Sequence, residues 1–464
     1  MTDTICLASI AEIGRRYRSR EVSPVEVVDA LLERIHRLNP VLNAYLTVLD
    51  RDLPAQAKTA ERMLLRGDAG ALVGVPVSVK DNIATAGVRT TAGSRILADW
   101  VPQTDATCVA NLRAAGALIA GKTNLFEFAF GEAHDDYGHV RNPWSLDRST
   151  AGSSTGAASA VAAGLCFGAV ATDTGGSIRV PAAFCGTVGL KPTYGRIATD
   201  GVVSTSWTMC HVGPITRTVE DASLVFATLT GASAPWPPTA SGIAGARLVV
   251  SRPQDGERID AEVRAATDAA CAALAEEGAQ LDEVELPSLL LARDLLWAIA
   301  SPEAADIHHD RLATRAADYH PVVRARLERG RSISAETYVR AQRVRRWLAE
   351  VVDALLAEAD VLLLPVSPIL PYALGARTVL VDGREEEVSQ AVTRYTPLAS
   401  VTGRPALAVP CGLSADGLPI GLQLVGHSGR DEELLRIGAA VERIVGWQEH
   451  PPDHAEAMPA GGRA

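Results

Sequence analysis

Gly74-Val75-Pro76-Val77-Ser78-Val79-Lys80-Asp81-Asn82 sets a lysine at the end of a short apolar run, residues 75–79, that reads as a buried strand. Two serine-bearing runs stand farther along the chain. One is Ala151-Gly152-Ser153-Ser154-Thr155-Gly156, and the other is Thr172-Asp173-Thr174-Gly175-Gly176-Ser177-Ile178-Arg179. A serine hydroxyl is a weak nucleophile at neutral pH and needs a base beside it; a neutral lysine amine can serve. Glycines ahead of a serine let backbone N–H groups turn toward a reacting carbonyl. The three runs therefore supply a nucleophile, a base and an oxyanion site.

Outward from these runs the chain alternates helix and strand. Ser23-Pro24-Val25-Glu26 is a capping box with proline at the first helical position, predicting a helix to about Arg37. Residues 53–65 read as a helix, 107–115 as another stopped by Gly116, and 117–120 as a strand. Residues 155–163 suit a close-packing helix of small side chains, 165–171 a strand, and Ser177 the start of the next helix. Residues 231–245, rich in Pro, Ser and Gly, read as a linker. Beyond it come a strand at 247–251, a helix at 260–277, a strand at 281–286 and a mostly helical stretch at 289–358. Strands return at 361–364, 406–409 and 420–425. Such alternation predicts an α/β fold, a layered sheet with helices on both faces.

Composition narrows the class. The 464 residues are 47% hydrophobic, enough for a large core, and the formal net charge of −11 argues against nucleic acid as the main partner. Met1-Thr2-Asp3-Thr4-Ile5-Cys6 lacks a secretory signal, and no run reaches the length of a membrane span, so a cytoplasmic location is expected. Seven scattered cysteines without Cys-x-x-Cys spacing fit reduced, buried thiols. His308-His309-Asp310 is the only tight histidine cluster and reads as surface or packing, with no metal site.

The chain resembles the amidase signature family of serine hydrolases. The likeness lies in Gly74 to Asp81, Gly121-Lys122-Thr123-Asn124, Gly189-Leu190-Lys191-Pro192-Thr193-Tyr194-Gly195-Arg196 and Gly417-Leu418-Pro419-Ile420-Gly421-Leu422-Gln423-Leu424. Where the family usually reads Gly-Gly-Ser-Ser-Gly-Gly, this chain has Ala151 and Thr155, changes that flank the serine pair. The resemblance implies a large mixed β-sheet core covered by helices on both faces. It also implies one domain over 1–448, with a helical N-terminal segment (1–66), a catalytic core (67–230) and, after the linker, further sheet and helices (246–448). Residues 449–464 are expected to form a mobile tail.

For chemistry the resemblance implies that Ser177 attacks an amide carbonyl, while Ser153, preceded by a cis peptide bond, relays its proton to a neutral Lys80. Burial would lower the lysine pKa toward the working pH. Backbone N–H groups around Thr174, Gly175, Gly176 and Ser177 would hold the oxyanion, and Asp173 and Arg179 would hold the turn. No cofactor is implied. Substrate would meet Phe128-Ala129-Phe130-Gly131, with Ala129, Phe130 and Gly131 as pocket residues and a second wall from Ser206 to His211 that includes Trp207. Phe130 and Trp207 could equally be plain core. Selectivity is expected from 289–358, with no residue assigned.

Rival readings explain less. Gly116-Ala117-Leu118-Ile119-Ala120-Gly121-Lys122-Thr123 fits the phosphate-loop pattern, but its four inner residues are apolar and strand-like, so a buried strand ending at a polar turn is preferred. Gly152-Ser153-Ser154-Thr155-Gly156 fits the nucleophile elbow, yet turns are expected over 141–148 where the elbow needs a strand, and His427 is only a nominal partner. Taken singly, Lys80 could be a strand end paired with Asp81, and the serines could be helix caps. The leading function is a serine amidohydrolase acting on a small-molecule amide, with no nucleic acid or membrane partner and a homodimer left open. The alternatives are a glutaminase subunit of a tRNA-dependent amidotransferase, disfavoured by the apolar Trp207-Thr208-Met209-Cys210, and a non-catalytic binding protein.

Overall fold

Short apolar runs become the strands of one eleven-stranded sheet. They are β1 (Tyr45–Val48), β2 (Pro76–Lys80), β3 (Leu118–Thr123), β4 (Gly168–Asp173), β5 (Val188–Lys191) and β6 (His211–Thr216), then β7 (Arg247–Arg252), β8 (Gln280–Glu285), β9 (Val361–Pro365), β10 (Ala406–Leu413) and β11 (Pro419–Val425). The computed structural model describes residues 2–67, 70–232, 242–252, 258–286, 288–452 and 454. The spatial order is β1-β3-β2-β4-β6-β5-β10-β11-β9-β7-β8. The β3-β2-β4 and β9-β7-β8 neighbours pair in parallel, and the remaining neighbours pair antiparallel. The strands on both sides of residues 231–245 thus share one sheet. The linker expected there falls mostly on 233–241, outside the described residues, as does the tail at 455–464.

Side chains alternate across the pleat, so each strand feeds two apolar layers. In β3, Ile119 joins one layer while Leu118 and Ala120 join the other. The first layer packs against helices Ile10–Arg18, Thr107–Ala114, Val219–Leu229, Ala261–Glu276 and Asp431–Val445; the second packs against Pro24–Leu42, Leu53–Leu65, Thr155–Ala162 and Arg179–Phe184. Helices on both faces of a mixed sheet are the predicted class. The stretch between β8 and β9 folds as four α-helices, Ser288–Ile307, His309–Arg315, Pro321–Gly330 and Ala335–Leu356.

Several local expectations need adjusting. The Ser23 capping box forms, but its helix runs on to Leu42 and stops at Asn43 in the left-handed region. The turns expected at 141–148 are instead a small hairpin, Arg141–Asn142 with Ser145–Ser149. The phosphate-loop candidate is strand throughout Leu118–Thr123 and fully buried. Its Lys122 Nζ donates to Ile83 O at 2.5 Å and Thr90 Oγ1 at 2.8 Å, leaving no cradle for a phosphate.

Candidate active site

The ends of two central strands and the start of one helix converge. Lys80 ends β2, the Ser153 turn opens helix Thr155–Ala162, and β4 runs directly into the Ser177 turn. Lys80 is fully buried, and its Nζ donates to Ser153 Oγ at 2.8 Å, Ser154 Oγ at 2.9 Å and Thr172 Oγ1 at 3.0 Å. Asp81, one residue past the end of β2, is not its partner: its carboxylate accepts from Thr91 N at 2.8 Å and Thr91 Oγ1 at 2.5 Å. Asp81 lies 3.6 Å from Lys122 instead. Among the described residues no carboxylate forms an ion pair with Lys80. Desolvation lowers its pKa to about 7, opposed by the more distant Cys210 and Asp173.

The Gly152–Ser153 peptide bond is cis. A Cβ at Gly152 would come within 2.1 Å of the Phe126 ring, so only glycine fits beneath that ring. Ser154 occupies the N-cap position of its helix without a side-chain cap bond; its hydroxyl donates instead to Thr172 O at 3.2 Å. Capping therefore does not explain the serine pair.

Asp173, at the end of β4, organises the second turn. Its carboxylate accepts from Gly176 N at 2.8 Å, Ile178 N at 3.0 Å and both Arg179 Nε and Nη2 at 3.0 Å. Arg179 is itself fully buried and donates further to Thr396 O, Gln423 Oε1 and Ser400 Oγ. Burial works against the Asp173 carboxylate, yet the Arg179 guanidinium holds its pKa below the usual range. Gly176 sits at φ +129 against Thr396, a conformation and a contact that a side chain would not tolerate. Breaking this pair leaves an uncompensated buried charge. We expect Arg179→Met to destabilise the fold by about 3–5 kcal/mol in denaturant unfolding, with Asp173→Asn costing less because an amide still accepts one bond.

This network exposes Ser177. Among the described residues its hydroxyl makes no hydrogen bond, and it lines a cavity of about 500 Å³ that Ser153 also lines. The two serine turns touch, Ser154 N donating to Ser177 O at 3.2 Å. Helix Arg179–Phe184 starts two residues after Ser177 and carries Ile178 at its N-cap, so Ser177 does not cap it. Of the amides expected at an oxyanion site, Gly176 N is already committed to Asp173. Those of Thr174, Gly175 and Ser177 have no acceptor among the described residues.

Of the expected pocket residues, Ala129, Phe130 and Gly131 line the cavity. Trp207 does not: it is 50% exposed, with its carbonyl held by Tyr194 Oη, and Thr205 is the residue of that loop at the wall. Neighbouring Ser206 and Thr208 instead bond Glu303. Phe128 is core, its ring packed on His308 and Tyr319. The helical stretch between β8 and β9 contributes Leu296, Trp297, His320 and Arg326 to the cavity, positions that no sequence signal singled out. His427 bonds Ala359 O, and all seven cysteines are buried and none is in a disulfide among the described residues.

A family model described as Amidase matches residues 26–435. A glutamyl-tRNA(Gln) amidotransferase subunit from Roseiflexus castenholzii (strain DSM 13941 / HLO8) is 37% identical over 97% of this chain and 98% of its own. An inhibitor-bound structure of an s-triazine catabolic enzyme, described with a vestigial protein complex, superposes with a TM-score of 0.88 at 32% identity, covering 95% of this chain and 99% of that one. The corresponding glutamyl-tRNA(Gln) amidotransferase subunit from Thermotoga maritima superposes with a TM-score of 0.78 at 30% identity, covering 95% of each chain. These names correct one expectation, that the partner is a small-molecule amide with nucleic acid excluded. Full-length relatives are subunits of an enzyme named for a tRNA, and a net charge of −11 describes the whole chain rather than any one surface or a companion protein. No helix among the described residues is long and apolar enough to cross a membrane. With the Amidase match over most of its length and relatives of over 30% identity, this chain belongs to the amidase signature family, whose general activity is amide hydrolysis.

Proposed function

We propose that this chain is the amide-cleaving subunit of an amidotransferase-type assembly, with Ser177 as nucleophile, Ser153 as proton relay and Lys80 as base. The observation that carries the reading is a buried amine with a pKa of about 7, 2.8 Å from Ser153 Oγ and beside the cavity that Ser177 lines. In the neutral state the amine has a lone pair to accept the Ser153 proton as Ser153 accepts that of Ser177. The Ser177 oxygen bonds the carbonyl carbon, and the negative charge develops within reach of the Thr174, Gly175 and Ser177 amides. One such donor contributes roughly 3–4 kcal/mol. The proton returns through Ser153 to the nitrogen, the C–N bond breaks, ammonia leaves, and water then releases the acid from Ser177. Seven buried cysteines outside any disulfide suit a cytoplasmic, reducing setting.

The assembly part of the reading rests on relatives of matching length that are named as amidotransferase subunits. A second reading, a hydrolase working without such an assembly, is favoured by the superposition on a bacterial aryl acylamidase of the same family, with a TM-score of 0.84 against 0.78 for the amidotransferase subunit. The test is to purify the tagged chain from its own cells, identify co-purifying proteins, and measure ammonia release from L-glutamine and transfer to a charged tRNA. We expect companion subunits to co-purify and to raise glutaminase activity. Full amide hydrolysis by the isolated chain, unaffected by any companion, would favour the second reading; the absence of an acyl-enzyme by mass spectrometry with any amide would overturn both.

A further inference from the structure

A buried carboxylate with no cation beside it joins the helical wall of the cavity to the loop that carries Thr205. Glu303 lies on helix Ser288–Ile307, one turn beyond Ala300 and two beyond Leu296, so the three share a face, and Leu296 and Ala300 line the cavity. Glu303 is only 1% exposed. Its Oε1 accepts from Thr208 Oγ1 at 2.7 Å and Tyr338 Oη at 2.8 Å. Its Oε2 accepts from Ser206 Oγ and, at 3.4 Å, from Thr208 N. Among the described residues it forms no ion pair. Arg345 feels its charge only from a distance and donates to Val401 O at 2.6 Å and Thr208 O at 3.0 Å.

Those bonds hold more than the carboxylate. Ser204 Oγ donates to Ser206 O at 3.0 Å, tying the loop upon itself around Thr205. Thr205 is buried at the cavity wall and donates from its Oγ1 to Phe128 O at 3.0 Å, just ahead of the pocket residues Ala129, Phe130 and Gly131. Phe128 and Ala129 both stand in the left-handed region, at φ +50 and +57, a conformation that persists only where the surroundings hold it. Glu303 thus reaches the pocket turn through Ser206 and Thr205. Burying a carboxylate is costly, and donors from Ser206, Thr208 and Tyr338 offset that cost. An apolar side chain would pack here without such provision; a satisfied network instead specifies one arrangement of the segments that meet in it. The apolar surface of Leu296, Trp297 and Phe130 along this wall suits a carbon chain.

We propose that Glu303 is a positioning residue: by clipping the Thr205 loop to the helical wall it fixes the cavity's width where the substrate's carbon chain lies. It thereby sets preference among amides without touching the reacting atoms. The inference rests on the amide-cleavage reading for its substrate, but binding and exchange are measured apart from turnover. The probes are hexanamide and acetamide, titrated calorimetrically into Ser177→Ala, in which hydrolysis cannot proceed. We expect hexanamide to bind about 10-fold or more tighter than acetamide. Adding Glu303→Leu should shrink that gap to about 3-fold or less, and should speed amide hydrogen exchange across residues 204–210 by about 10-fold or more. Glu303→Gln keeps one acceptor and should recover part of the gap. A merely structural role would lower the melting temperature of Glu303→Leu and leave the gap as it was. That outcome would overturn the proposal, as would equal or absent binding of the two probes in the parent protein, or no recovery in Glu303→Gln. Should the leucine variant fail to fold, Thr208→Val, which removes one bond on the loop side, takes its place under the same criteria. A gap that depends on Glu303 in a protein that turns over no amide leaves this inference standing while the proposed function falls; an acyl-enzyme whose chain preference ignores Glu303 does the reverse.

Discussion

Changing Ser177 to alanine is expected to lower kcat/KM by about 10,000-fold or more on any amide the protein hydrolyses, because nucleophile and relay act as a unit. The fold should scarcely notice. The Ser177 hydroxyl has no hydrogen-bond partner among the described residues and lines the cavity, so the melting temperature should stay within about 2 °C of the native value. That separation gives the test its force. A fluorophosphonate probe should label the native protein on a Ser177 peptide, and the alanine variant should take up none. Substantial turnover by a folded Ser177→Ala protein would remove Ser177 from the chemistry.

Lys80→Met is expected to cost about 1,000-fold or more in kcat/KM, the upper part of the range for a lost general base. Its signature is the pH profile. The amine accepts a proton only when neutral, so native kcat/KM should rise as pH climbs through about 7 and level off above it. The methionine variant should lose that rise. Linkage gives the stability trend the same direction: folding depresses this pKa from 10.5 to about 7, so the unfolded chain binds more protons between those values and stability grows with pH across the window. Lys80→Met should flatten that slope while costing about 1–3 kcal/mol for the acceptors it abandons on Ser153, Ser154 and Thr172. A native profile that falls above pH 7 would contradict a neutral-lysine base.

The elements most legible in the sequence were those written in local chemistry. The Ser23-Pro24-Val25-Glu26 box, the small-residue helix ending at Ala162 and the apolar strands all follow from spacing and caps that act within a few residues. The meeting of Lys80 with Ser153 was available only through resemblance, since no local rule brings β2 beside a turn lying more than seventy residues later. Direction was the harder quantity. Asp81 stands in the turn just past β2, where its carboxylate meets Thr91 and Lys122 rather than Lys80; in the irregular loop around Trp207 no period exists, and the indole turned outward. Gly176 was misjudged for a different reason: an amide named for an oxyanion was already bonded to the Asp173 carboxylate. Arg326 gave no signal at all, because one arginine among many on charged helices is told apart only by its surroundings in the fold.

The cavity has two origins. Its floor is built from junctions on the central strands, fixed by Asp173 and Arg179, whereas one wall comes from helices lying between β8 and β9. Diversification can therefore proceed on the wall without disturbing the bond-breaking machinery. Libraries confined to Leu296, Trp297, Val322 and Arg326 should yield new amide preferences in molecules that still acylate at the same oxygen, making the helical insert an exchangeable reading head on an unchanged motor.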